Sequence, residues 1–474
     1  MVATLSPPRR SGRLPGVQMP DQELHRTLGT TDLVLIVMGT VVGSGIFLVP
    51  GAVMRMAGGA VGPSLLVWVL GGVLSLLGAL TYAELGAMKT NTGGLYVFIR
   101  DAFGPLPAFL YGWTSFLVIS TGGMATLAVA FAGYVGQALP IGAVGSRIVA
   151  VGMIAILVVV NVRGARSGAT LQNWTSSFKV IALVALSLVL IAFGHSGAPS
   201  EPIWPDRFTP ALASGIGAAM IGVLWSYEGW QYVTFSSGEA TEPQRTIPRA
   251  IVLATAIIVL LYVLANVAYI VALGAADAAA TDHAAADAVT RLFGPAAGRV
   301  VTAVILVSIF SAANSLLLTT PRMYFAMARD GVFFRRLAVV HPRYRTPSFA
   351  ICAMGAWSAL LAVSGTFEQL LTYVVFAGWI FYALGAASVF VFRKKLPDAP
   401  RPFRVPAYPI TPLLFIASAT LLVLNTVMAQ PQRAAGGIVV VLIGIPAYVA
   451  WRRHAATAAP SIDQPISQQN DFPI

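Results

Sequence analysis

Three glycines and a serine sit in the run Gly39-Thr40-Val41-Val42-Gly43-Ser44-Gly45-Ile46-Phe47, at the centre of an apolar stretch from 30 to 56. The stretch is long enough to cross a bilayer, yet its middle is its poorest helix-forming part. In hydrocarbon each unpaired backbone N–H or C=O costs several kcal/mol, roughly, unless protein or ligand satisfies it. A break here therefore points to a binding site. The N–H groups of Gly43, Ser44 and Gly45 would open a second half-helix and aim positive dipole density at the gap, which suits a carboxylate. Carbonyls freed at the end of the first half suit an ammonium. The competing reading is close helix packing, since Gly39 and Gly43 form a GxxxG pair.

A second interruption lies in the sixth apolar span, which reads Val223-Leu224-Trp225-Ser226-Tyr227-Glu228-Gly229-Trp230-Gln231-Tyr232. It places a glycine, a carboxylate and hydroxyls at the depth of the first break, and Trp225 offers a further free carbonyl. A ligand carrying both charges close together, an α-amino acid, fits the pair of breaks. Matching interruptions in two halves of a membrane chain are the sequence sign of an inverted-repeat transporter with its site at the midplane.

Composition agrees with that setting. Apolar residues make up 57% of the chain, charged residues 10%, and the mean hydropathy is +0.77, which marks a polytopic membrane protein. The net charge of +12 is spread between apolar spans, so a nucleic-acid partner is not expected. The one cysteine, Cys352, excludes a disulfide framework and is read as a small buried packing residue. No acid–base pair, nucleophile with a base, or metal-ligand set shares one depth, so neither an enzyme, a metal nor a cofactor is expected.

Apolar spans recur near 30 to 56, 61 to 88, 104 to 138, 146 to 163, 172 to 194, 211 to 236, 249 to 274, 297 to 327, 347 to 364, 367 to 392, 408 to 429 and 433 to 451. Numbered in that order, they give twelve transmembrane helices with both termini on one side. With the N-terminus inside, only Arg55, Arg147, Arg207, Arg291, Arg299 and Arg433 of the 30 basic residues fall outside, and Lys179 lies within a span; the bias fixes cytoplasmic termini. Residues 1–27 and 454–474 read as disordered cytoplasmic tails, the first without a signal-peptide pattern. Between helices 7 and 8, Gly274 to Gly298 reads as an outer loop of short helices in which Asp277, Asp282, His283 and Asp287 sit among solvated alanines.

Several motifs resemble the amino acid-polyamine-organocation (APC) superfamily: Gly43-Ser44-Gly45-Ile46-Phe47 with Pro50, Tyr82-Ala83-Glu84-Leu85-Gly86 with Gly93-Gly94 and Tyr96, and Asn161-Val162-Arg163-Gly164. Gly229-Trp230, Ile247-Pro248-Arg249-Ala250-Ile251, Tyr262 to Tyr269, Arg322 to Gly331 and His341-Pro342 resemble its L-type amino acid transporter (LAT) branch, most like a prokaryotic member. The resemblance spans 28–453. It implies one all-α transporter domain with the LeuT-like 5+5 inverted repeat, helices 1–5 and 6–10, broken helices 1 and 6, and helices 11 and 12 appended.

The resemblance further implies that Ser44 and Gly45, beside Gly43, bind the substrate carboxylate, while the carbonyls of Val41, Trp225 and Glu228 hold the amino group. It makes Trp225 an aromatic gate and Trp379 another aromatic near the pocket. Lys179 would stand where sodium-coupled relatives of the fold bind sodium, with Ser311 and the carbonyls of Gly39 to Val42 as contacts. The bland alternative for Lys179 is snorkelling, because it lies about two turns from the cytoplasmic end of its span. Glu228 departs from the glycine of animal members. It could prefer cationic substrates, titrate as a proton carrier, or pair with a neighbouring hydroxyl. The outer loop 138–146 lacks the cysteine by which animal members join a glycoprotein, so no such partner is expected and an inner-membrane location follows. The leading expectation is sodium-independent alternating-access transport of α-amino acids, neutral ones first, by exchange or with a proton. A cationic amino acid or polyamine antiporter using Glu228, and a non-cycling amino acid sensor, are the alternatives.

Overall fold

The computed structural model describes residues 26–194 and 203–457. The tail readings for 1–25 and 458–474 lie outside the described residues. Among those described, ten helices are long and apolar enough to cross a membrane, and the shorter Pro210–Ser226 and Ser348–Ser364 complete the twelve. There are no strands among them, only an isolated bridge between Leu28 and Ala240.

Helix 1 runs Thr30–Val41, stops, and resumes as Gly45–Leu48 and Pro50–Met56, with Val49 in helical conformation between them. Helix 6 runs Pro210–Ser226, stops, and resumes as the tight turn Tyr232–Glu239. The first helix of each set of five is thus the broken one. Helix 3 is continuous through Pro105–Thr114 and Ser120–Ala138 but carries a widened π turn, Ser115–Ile119. Helix 8, Pro295–Thr319, passes at Thr320 into Pro321–Arg329.

Helix 1 is 72% buried, against 22% for helices 4 and 12, so the breaks lie at the centre and a lipid-facing ring surrounds them. Helix 7 (Pro243–Leu273) packs along helix 2 (Val61–Met88) and helix 1, while helix 8 lies between helices 3 and 5. The apolar exposed faces, with Val144, Trp174, Leu260 and Leu421 among their residues, are what a bilayer solvent requires. Fully buried Glu84 of helix 2 receives Arg393 at 3.0 and 2.7 Å and the Val405 N–H at 2.7 Å, so this interior carboxylate is paired.

Three expectations need correction. Helix 5 begins at Ala165, not 172, and ends at Phe193, which puts Lys179 at its middle. The first turns before 172 are helical although Ser167 and Thr170 are exposed, and buried Gly168 and Ala169 give them their protein-facing side. Cys352 is exposed: in a membrane span an apolar position can face lipid as readily as the core. The outer loop folds into Ala275–Ala280 and Ala284–Phe293, and only some of its alanines, Ala276 and Ala280 among them, are solvated. Ala278, Ala284, Ala285 and Ala288 are buried, Asp282 pairs with Arg55 at 2.7 Å, and Asp277 pairs with Arg291.

Candidate functional site between the two broken helices

The last helical bond of the first half of helix 1 runs from the Val42 N–H to Met38. Among the described residues the amides of Gly43, Ser44 and Gly45 reach no backbone carbonyl, and the buried Ser44 hydroxyl has no partner. The freed carbonyls are treated differently. Lys179 Nζ donates to Gly39 O at 2.6 Å, to Val42 O at 2.5 Å and to Ser308 O at 3.4 Å. Ser308 Oγ donates to Val42 O at 3.1 Å, and the Tyr262 hydroxyl to Val41 O at 2.9 Å. Most of the acceptors at the break are therefore met by the protein, while its donors remain open.

Helix 6 meets this gap at close range. A Cβ on Gly45 would stand 2.4 Å from Ser226 Oγ and 2.6 Å from Ser226 Cα, so only glycine lets the breaks touch. Gly229 has φ of +130°, and a Cβ there would meet Thr40 Cγ2 at 2.7 Å. The packing and binding readings of these glycines are thus not exclusive. The Glu228 N–H donates to Trp225 O at 3.0 Å. Its carboxylate Oε1 accepts from Gln231 Nε2 at 2.8 Å, from Tyr232 OH at 3.3 Å and from the Tyr382 hydroxyl of helix 10 (Phe367–Lys395).

Between the breaks lies a cavity of about 30 Å³, walled by the 40–45 stretch of helix 1, by Trp225, Glu228 and Tyr232, and by Gly123, Leu127, Leu316 and Val374 of helices 3, 8 and 10. That volume holds a water or two. On the side where the chain begins, the Thr27 and Leu28 amides bond Glu239 O at 2.8 and 3.0 Å, and Asn173 donates to Asp32 at 2.6 Å. Glu239 also holds Arg322 bidentately at 2.7 and 3.2 Å, both side chains buried. On the opposite side, Arg55 donates to Ala279 O at 2.7 Å and binds Asp282, while the His283 ring stands edge-on to Tyr134 at 5.2 Å. Polar ties thus join the elements on both sides of the cavity.

A sequence model described as amino acid permease matches residues 28–448. The chain belongs to the amino acid permease family. Similar proteins include the serine/threonine exchanger SteT of Bacillus subtilis, 30% identical over 92% of this chain and 99% of its own. The human cystine/glutamate transporter is 31% identical over 92% of this chain and 89% of its own. The rat large neutral amino acids transporter small subunit 2 is 32% identical over 90% and 80%. The superfamily and branch expected from the motifs are those found, and these relatives are transporters.

In this permease Val41, Gly43, Ser44, Gly45, Trp225 and Glu228 all line the one cavity. Trp379 does not: it packs against Tyr382 and Phe415 one layer behind. Ser311 is also displaced from its expected contact. Its hydroxyl meets Thr175 at 2.8 Å and Gln172 at 3.2 Å, and Ser308, one helical turn away, takes the place beside Lys179. Lys179 is 1% exposed, which removes the snorkelling alternative. Of the three options for Glu228, pairing with neighbouring hydroxyls is realised, and the residue also faces the cavity. Sequence reasoning missed Tyr232, Tyr382 and Glu239. The four-residue step from Glu228 to Tyr232 was the available signal for the first.

Proposed function

We propose that the protein is a sodium-independent carrier of neutral α-amino acids that works by alternating access. The observation that carries this is the set of open donors at Gly43, Ser44 and Gly45, which faces the Trp225 and Glu228 end of helix 6 across one small cavity. The substrate carboxylate takes the amides and the Ser44 hydroxyl. Residues 45–56 are helical apart from no more than a bend at Val49, so that end carries a dipole able to receive it. The ammonium takes the remaining lone pairs of the Val41 and Trp225 carbonyls and the rim of Glu228. Trp225 closes the outer path. The apolar wall of Leu127, Leu316 and Val374 supports short uncharged side chains, in keeping with a relative that exchanges serine and threonine.

Lys179 supports the absence of sodium dependence, because its ammonium already occupies the carbonyls that a cation at the break would use. The charge bias supports cytoplasmic termini in a bacterial inner membrane. Residues 28–453 act as a single transporter domain, without enzymatic activity or a disulfide-linked ancillary glycoprotein. A second reading, a cationic amino acid or polyamine antiporter, is favoured by one feature: among the described residues no side chain donates to Glu228 Oε2.

The test is counterflow in proteoliposomes, with one unlabelled amino acid inside and labelled substrate outside. Uptake driven by alanine or serine in sodium-free buffer supports the proposal. Uptake driven only by lysine, arginine or diamines moves the assignment to the second reading. Binding without counterflow makes the protein a sensor.

A further inference from the structure

We propose that Glu228 carries one proton with each amino acid moved, and that the proton passes between Glu228 and the cytoplasm along a file of buried hydroxyls: Tyr232 and Tyr382, then Ser120 and Ser115, then Tyr111 and Tyr324. The inference rests on the amino acid transport proposed above and adds its driving ion.

Glu228 has no cationic partner. Its Oε1 takes three neutral donors, Gln231, Tyr232 and Tyr382, and among the described residues no Lys, Arg or His side chain pairs with it. The titratable groups facing it are all tyrosines: Tyr232 on its own helix, Tyr382 on helix 10, and Tyr82 and Tyr111 on helices 2 and 3. Helices 1 and 8 bring only uncharged residues to the cavity. An intramembrane carboxylate is costly without a cation, and in transporters such groups mark ion and proton paths. Glu84 and Glu239 have arginines; Glu228 requires a cation that comes and goes. A proton supplies that cation without taking space in the cavity of about 30 Å³ beside it.

The second observation lies beneath the cavity and is not used by substrate binding. Ser115 and Ser120, at the two ends of the π turn of helix 3, share a hydrogen bond of 2.8 Å in which either can donate. The Tyr232 hydroxyl neighbours Ser120, while those of Tyr111 and Tyr324 neighbour Ser115. The hydroxyl oxygens of Tyr111, Thr114, Thr320 and Tyr324 are buried with no protein partner in bonding geometry. Unmet groups of this kind, clustered at membrane depth, call for internal water. Hydroxyls and water both donate and accept, so a proton can cross the file by successive O–H exchange, which carbonyls alone would not allow. Tyr324 lies six positions before Asp330, whose carboxylate binds Tyr96 at 2.9 Å and Arg100 at a partly exposed rim. Below the file, Phe116 and Phe333 in edge contact, and Met327 against Gly112, close it to substrate.

The step balances simply. With the cavity open outward, the carboxylate takes a proton and becomes a neutral acid. After closure it returns the proton to the file, and the carboxylate is restored as the proton leaves inside. A zwitterion and a proton together move one positive charge.

The full-length protein in proteoliposomes containing a pH dye provides the test, with alanine or serine added outside to vesicles free of amino acid. Lumenal acidification at one proton per amino acid is expected. With the membrane potential held at zero, a gradient of one pH unit, acid outside, should sustain about tenfold accumulation, since that unit is worth about 1.36 kcal/mol and this is tenfold in concentration. Glu228→Gln should bring the proton-to-substrate ratio to zero for whatever flux remains. In case that variant carries no flux, the double variant Ser115→Ala, Ser120→Ala, away from the cavity, should keep counterflow and lose proton movement at least tenfold. Net uptake by the wild type into the empty vesicles without acidification, or a ratio of one retained in either variant, overturns the proton file. Absence of wild-type counterflow overturns the transport reading itself.

Discussion

Replacing Lys179 with methionine removes the ammonium and keeps most of the stem. In the wild type the ammonium makes two short bonds, to Gly39 O and Val42 O at 2.6 and 2.5 Å, and a longer one to Ser308 O at 3.4 Å. Bonds to a charged donor are worth about 1.5–3 kcal/mol each. Val42 O keeps the Ser308 hydroxyl at 3.1 Å, so the orphan left behind is chiefly Gly39 O. The desolvation cost of a buried lysine disappears at the same time, which leaves the fold near its original stability. What is lost is the tie between helix 5 and the broken part of helix 1, about 3 kcal/mol of the closed state. At about 1.4 kcal/mol per tenfold, counterflow should slow on the order of a hundredfold while the protein inserts and elutes as the wild type does. Proteoliposomes loaded with equal amounts of folded protein give the rate. A Lys179→Met rate within threefold of wild type would refute the reasoning, and with it the claim that this ammonium stands in for a coupling cation.

Three further outcomes follow from the same geometry. Ser44→Ala deletes the one buried hydroxyl without a partner at the anion site; affinity for amino acids should fall roughly ten- to a hundredfold, for about 1.5–3 kcal/mol, while amines without a carboxylate lose little, as read by competition binding. Trp225→Ala should slow exchange about tenfold at the 1.4 kcal/mol scale and leave equilibrium binding largely intact; unchanged exchange in the counterflow assay would undo the gate. Arg322→Met strands Glu239, 4% exposed and otherwise bidentate, and the loss of about 3–5 kcal/mol should appear as a lower melting temperature and a weakened link between helices 6 and 8; an unchanged melting temperature would contradict it.

The breaks were legible because glycine and polar residues inside an apolar run have no membrane explanation except a kink, a contact or a site. The placement of Ser44 and Glu228 on one cavity followed from them, whereas the helix count came from the recurring apolar spans and the family from motifs spread over 28–453. The partners of these residues were not legible. Tyr262 and Tyr382 meet Val41 and Glu228 across 221 and 154 positions of sequence, and a tyrosine in an apolar span reads as core until the far chain is placed. Helix 5 misled because Arg166, Ser167 and Thr170, ahead of the apolar span, read as loop, whereas the helix begins at Ala165. Further along it polar side chains face inward, Asn173 to Asp32, Gln172 to Ser311 and Asn314. That inward polar face places Lys179 deep, and Ser308 rather than Ser311 beside it, since residues three apart share a helix face and only packing selects between them.

The most direct test of the account is a structure of the protein with alanine or serine bound. The account predicts the ligand between the two breaks, its carboxylate within hydrogen-bond distance of the Ser44 and Gly45 amides and its ammonium toward the carbonyls of helix 6. A ligand whose carboxylate lies away from residues 43–45, or a carboxylate turned toward Glu228, would contradict it.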